Sequence, residues 1–162
     1  MTISKYKRSY LIIIYFILLI FINIKVISIG FVFGNSMYPT LNDQRVVLLL
    51  KWNYNINTND IVMIYDQQLN SNIIKRVVGV AGDHLIINNY KLIVNDQIIS
   101  NYNGITSIDD IDIIIPDNSI FVVGDNFDQS IDSRELGVYN YQQVLGKVIY
   151  NILGDNNNDF KN

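Results

Sequence analysis

One long apolar run, residues 10–24, heads a chain whose other apolar residues come in short bursts. That contrast limits what the chain can fold into. The run is broken only by Asn23; Lys25 follows, and residues 26–33 are again apolar apart from Ser28. A helix needs about 20 residues to cross a bilayer. Residues 11–29 reach that length if Asn23 and Lys25 lie at the far interface, where a lysine head can snorkel into water. Lys5, Lys7 and Arg8 precede the run, which places the N-terminus in the cytoplasm and the chain beyond the run outside it. A cleaved signal peptide is the alternative, but the run is longer than a typical h-region and no Ala-x-Ala-like site comes after it. A buried core helix would show a polar face, and this run has none.

Beyond residue 33 the pattern changes to β. Segments 45–50, 60–65, 73–80, 84–88, 91–94, 97–99, 119–123 and 144–150 are short and rich in Val, Ile and Tyr, with Asn, Asp and Gly between them. Asn95-Asp96 between two apolar runs reads as a hairpin turn. Pro39 and Pro116 sit at element edges. Residues 101–112 are polar and read as a surface loop. The expected fold is mostly β, an N-terminal transmembrane helix followed by a compact β-sheet or barrel-like domain. The expected division is a cytoplasmic N-terminus at 1–9, an anchor at 10–31, an extracytoplasmic domain at 32–154 and a flexible tail at 155–162. With 162 residues there is room for one tether and one such domain.

Composition removes several chemistries. There are no cysteines, hence no thiolate nucleophile, disulfide or thiolate metal site. A single histidine, His84, makes a Ser-His-Asp triad or a histidine metal site improbable. A net charge of −3 gives no reason to expect nucleic acid.

Three runs remain that carry chemistry. The first is Gly34-Asn35-Ser36-Met37-Tyr38-Pro39-Thr40-Leu41, just beyond the apolar stretch. The second, Ile73-Ile74-Lys75-Arg76-Val77-Val78-Gly79, sets a lysine in an apolar segment. In a strand, Ile73, Lys75 and Val77 share one face and Ile74, Arg76 and Val78 the other. Desolvation among aliphatics favours a neutral amine, which a general base near neutral pH requires. On spacing alone, an edge-strand lysine with its head in water fits equally well. The third run, Gly124 to Arg134, is dense in polar side chains. Asp125, Asp128 and Asp132 there could suggest a metal, but the calcium-loop spacing is absent.

Together these runs resemble the three boxes of type I signal peptidases. Ser36-Met37-Tyr38-Pro39-Thr40-Leu41 is similar to the nucleophile box. Lys75-Arg76-Val77-Val78-Gly79 with Gly82-Asp83 is similar to the lysine box. Gly124-Asp125-Asn126 with Ser130, Asp132, Ser133, Arg134 and Gly137 is similar to the third. Arg45-Val46-Val47 and Asn59-Asp60-Ile61-Val62 match the linking strands, where a glycine usually precedes the aspartate. The likeness runs from about residue 34 to 148, in order. It implies that Ser36 is the nucleophile and Lys75 the general base, with the Ser36 backbone N–H donating to the oxyanion. It implies that Ser130 hydrogen-bonds and aims the Lys75 amine, and that Asp132 and Arg134 form a supporting ion pair. Asp125 and Asn126 would shape the same turn, and Met37 would sit near the substrate subsite as packing. The chain departs from the pattern at Gly34, where some members carry a hydroxyl that donates to the oxyanion. It departs again at Ala81, usually proline, and at Phe127, usually arginine. A lysine at position 75 points to the bacterial or organellar side of the family, since the eukaryotic secretory branch has histidine there. His84 reads as a surface residue.

The resemblance implies a membrane-bound serine endopeptidase that removes signal peptides from translocated preproteins. The substrate would lie extended along a strand edge, with small residues in shallow apolar pockets. The implied partners are preprotein signal peptides and the lipid bilayer, with no nucleic acid and no cofactor. The implied location is the cell membrane, single-pass, with the catalytic domain extracytoplasmic. A mitochondrial inner-membrane peptidase subunit would share the chemistry. A self-cleaving repressor would share the dyad but would need a DNA-binding domain in place of the apolar run. A catalytically silent preprotein-binding relative would not need an intact Ser36 and Lys75.

Overall fold

The computed structural model describes residues 9–16, 26–88, 91–99 and 110–151. Eleven strands are seen there: β1 (Ile27–Phe31), β2 (Val46–Leu50), β3 (Ile61–Asp66), β4 (Ser71–Val80), β5 (His84–Asn88), β6 (Lys91–Val94), β7 (Gln97–Ile98), β8 (Ile111–Ile114), β9 (Ser119–Val123), β10 (Tyr139–Asn140) and β11 (Val144–Asn151). They form two antiparallel sheets. The larger has the order β1-β2-β11-β3-β4-β9-β10, the smaller β7-β6-β5-β8. The larger sheet is open rather than closed into a barrel, with β1 and β10 at its edges.

Turn chemistry explains much of the asparagine. Asn53, Asn59, Asn70, Asn95 and Asn118 all have positive φ, between 48° and 75°, a region that asparagine tolerates better than most side chains. Asn95 and Asp96, at 48° and 64°, close the β6–β7 hairpin, in which Val94 pairs with Gln97. Asn59, at 75°, stands where the family usually has glycine.

Each of the eight segments read as strands from sequence is a strand, with ends moved by at most two residues. β1, β8 and β10 were not expected. The anchor was expected at 10–31, but Ile27–Phe31 pairs with Val46–Leu50 in an antiparallel ladder, so the folded domain begins earlier. The misreading has a physical cause. Gly30 and Val32 turn inward, while Ile27, Ile29, Phe31 and Phe33 turn outward. A strand apolar on both faces shows no alternation to distinguish it from a helix. Likewise, Ile111–Ile114 lies partly in the segment read as a loop, because Asp112 interrupts its apolar pattern. Residues 9–16 are helical, and no helix among the described residues is long and apolar enough to cross a membrane. The rest of the expected anchor up to residue 25, and the expected tail, lie outside the described residues.

The core has three parts. Met37 and Leu41 of the 34–41 segment pack with Val47, Leu49, Ile61, Met63 and Ile74. Val62, Ile64, Val77, Ile120, Val122 and Tyr139 pack on β3, β4 and β9. Leu85, Ile87, Leu92, Ile115 and Phe121 join the two sheets.

Candidate active site

The segment between β1 and β2 carries Ser36. Its base is closed by two backbone bonds, Val32 N–H to the Arg45 carbonyl and Gln44 N–H to the Val32 carbonyl, at 2.8 and 2.9 Å. Met37, expected beside a substrate subsite as packing, is 1% exposed and anchors this segment in the core. The neighbouring Ser36 side chain is held half-buried at the surface.

Lys75 lies in the middle of β4, in register with Val62 of β3. Strand alternation puts it with Ile73 and Val77, and it is only 3% exposed. Its Nζ donates to Ser36 Oγ at 2.8 Å, across 39 residues of chain. Burial pushes the Lys75 amine down from 10.5 to about 8. Asp132 and Asp125 work against that shift, and Arg134 adds to it. The structure thus excludes the edge-strand reading of this lysine.

The 124–134 loop closes the far side. Asp132 is completely buried and accepts from the Gly124 N–H at 2.9 Å, from Ser130 Oγ at 2.6 Å and from Arg134 Nε at 2.8 Å. The expected Asp132–Arg134 ion pair is present. Arg134 also donates to the Phe127 and Ser130 carbonyls, and its guanidinium lies 4.9 Å from the centre of the Phe127 ring. Ser130 was expected to hydrogen-bond Lys75. Its hydroxyl donates to Asp132 instead, and no hydrogen bond joins it to Lys75 among the described residues. The buried carboxylate is the stronger acceptor, and the lysine is already engaged with Ser36.

Gly124 permits this close assembly. A Cβ there would lie 2.2 Å from Ser130 Oγ and 2.5 Å from the Ser36 carbonyl oxygen. Asn126 N–H donates to that same carbonyl at 3.0 Å, so the third run grips the Ser36 segment by its backbone. The Ser36 N–H has no acceptor among the described residues. The Gly34 N–H, by contrast, is taken by Asp43 Oδ1 at 2.7 Å.

Sequence reasoning missed Arg76. Alternation set it on the face opposite Lys75, yet it grips Asp125 with both ends of its fork, Nε to Oδ1 at 2.7 Å and Nη2 to Oδ2 at 2.6 Å. The one signal in the sequence was a run with three aspartates, which needs more cations than Arg134 alone.

The family described as signal peptidase, peptidase S26, matches residues 5–153. The chain belongs to that family. It is 30% identical over 128 residues to signal peptidase I U of Bacillus subtilis, covering 70% of this chain and 68% of the relative. It is 31% identical over 139 residues to signal peptidase IB of Staphylococcus aureus, covering 72% and 73%. The fold is similar to that of a signal peptidase I from Enterococcus faecalis, at 20% identity and a TM-score of 0.50, covering 60% of this chain and 98% of the other. Within the signal peptidase pattern, the departure at Phe127 becomes intelligible: the ring packs against Arg134.

Proposed function

We propose that this chain is a membrane-bound signal peptidase in which Ser36 and Lys75 form the catalytic dyad. The observation that carries the reading is the 2.8 Å contact between Lys75 Nζ and Ser36 Oγ, made by a lysine buried enough to lose its proton near pH 8. In the neutral state the hydroxyl donates to the amine. Lys75 accepts that proton as Ser36 Oγ attacks the scissile carbonyl. The Ser36 N–H is free to donate to the oxyanion that forms. Lys75 then passes its proton to the leaving amine, which frees the mature protein and leaves the signal peptide esterified to Ser36. Water activated by the same lysine hydrolyses that ester.

The substrate on this reading is the signal peptide of a translocated preprotein. Membrane attachment through the 10–25 segment, with the N-terminus cytoplasmic, belongs to the same proposal. It is supported by the outward face of β1, where Ile29, Phe31 and Phe33 are 59%, 62% and 80% exposed, and by exposed Trp52. Such a face suits the bilayer boundary.

The test is to incubate detergent-solubilised protein with a preprotein and sequence the new N-terminus. A cut following small residues one and three positions upstream is expected, and none with Ser36→Ala. Cleavage by purified Ser36→Ala within tenfold of wild type would reject Ser36 as nucleophile. For topology, protease added outside intact cells should digest the domain after Phe33; full protection until lysis would contradict it.

A further inference from the structure

Lys147 lies on β11, outside all three runs. It pairs with Val62 of β3, which pairs in turn with Lys75 of β4. Lys147 Nζ meets Asp60 Oδ2 at 2.8 Å, with both side chains largely shielded, 25% and 17% exposed. The same carboxylate oxygen accepts from the Asn57 N–H at 2.8 Å. One carboxylate therefore closes the 57–60 turn and ties it to β11. The turn is stitched to β4 as well, by Asn59 N–H to the Val77 carbonyl and Val77 N–H to the Asp60 carbonyl, both at 2.8 Å.

What the turn presents is the Asn59 carbonyl, which accepts from Arg76 Nη1 at 2.9 Å. The guanidinium is a rigid plane. Two of its nitrogens grip Asp125, and the contact to Asn59 fixes the plane at a third point. Asn126, next in the chain, holds the Ser36 carbonyl. The contacts run without a gap from Lys147 to the backbone of Ser36.

We propose that Lys147 and Asp60 are positioning residues for Ser36, acting through the Asn59 carbonyl, Arg76 and the Asp125–Asn126 backbone. The proposal rests on the Ser36–Lys75 reading above. It has a consequence that a merely structural tie would lack. Asp125 is one of the charges that favour protonated Lys75, together with Asp132 and against Arg134. If Arg76 shifts, Asp125 is less neutralised, and Lys75 holds its proton to higher pH.

The variants are Lys147→Met, Lys147→Arg and Asp60→Asn, with Lys147→Gln as a second neutral replacement should the methionine variant not fold. Each is compared with wild type and Ser36→Ala on the full-length protein, after thermal melting has shown it folded. Preprotein concentration is varied to separate kcat from KM, and kcat is followed against pH. Lys147→Met should lower kcat about three- to tenfold with KM within twofold, and Lys147→Arg should restore most of the loss. Asp60→Asn decides between mechanisms. Through-space removal of a negative charge would move the acidic limb of the rate to lower pH. Loss of positioning moves it to higher pH, by about half a unit. Folded Lys147→Met and Asp60→Asn with unchanged kcat, or an Asp60→Asn limb shifted downward, would overturn the proposal while leaving the dyad intact. Wild type that fails to cleave would sink the dyad itself.

Discussion

Lys75 Nζ and Ser36 Oγ stand 2.8 Å apart although 39 positions separate them in the chain. The contact exists because β3 and β9 flank β4 on both sides, while the 124–134 loop presses the serine segment onto the lysine. Around a tenth of such an amine is neutral at pH 7 if it titrates near 8. That is enough base to work with, and it makes activity steeply pH-dependent.

Lys75→Arg should abolish cleavage, since arginine keeps its proton at any usable pH. Strand alternation alone, which sets Arg76 on the face opposite Lys75, would make Arg76→Lys mild. The bidentate grip on Asp125 changes that expectation: a lysine offers a point charge in place of a fork, and kcat/KM should drop about tenfold. Near-normal cleavage by Lys75→Arg would rule out Lys75 as the base.

Ser130→Ala should be milder than either dyad change. Its hydroxyl donates to Asp132, not to Lys75. Removing that donor leaves the buried carboxylate less satisfied and more strongly attractive to the Lys75 ammonium. The acidic limb should therefore move to higher pH with the rate at high pH largely kept. A limb moved to lower pH would contradict the assigned hydrogen bond.

Gly124→Ala tests the close packing behind Ser36. The added methyl would sit 2.5 Å from the Ser36 carbonyl oxygen, a backbone atom with little room to yield. Destabilisation of about 1–3 kcal/mol and loss of cleavage beyond the loss of folded protein are expected. Chemical denaturation alongside active-site titration would separate the two.

Away from the site, Asp66 is 1% exposed and accepts from the Tyr139 hydroxyl and the Leu69 N–H. Burial alone would raise its pKa, but these hydrogen bonds hold the carboxyl below its ordinary value. A depressed folded-state pKa stabilises the protein above the usual carboxylate range, and that stability is lost as pH falls through the folded-state value. Tyr139→Phe should cost about 1–3 kcal/mol at neutral pH, and the difference from wild type should shrink in acid. A pH-independent difference would refute the ionic part of this account.

What could be read from the sequence divides along physical lines. Short β-branched segments between Asn and Gly turns revealed eight strands, and the three runs held the side chains that the fold gathers at the candidate site. Strand β1 stayed hidden because its outward face is as apolar as its inward one. The partners of Ser130 and Arg76 stayed hidden for another reason: the first depends on how the 124–134 loop folds on itself and the second on how it packs against β4, and no local periodicity records either. The Asp60–Lys147 pair, far apart in sequence, depends on β11 and β3 being neighbours.

The most direct test of the dyad is single-turnover cleavage of a preprotein between pH 6 and pH 10 by wild type, Ser36→Ala and Lys75→Arg, each scored for folded protein. The account expects the wild-type rate to rise through one ionisation near pH 8, and both variants to stay flat at background. A wild-type rate independent of pH, or cleavage by either variant within tenfold of wild type, would contradict it.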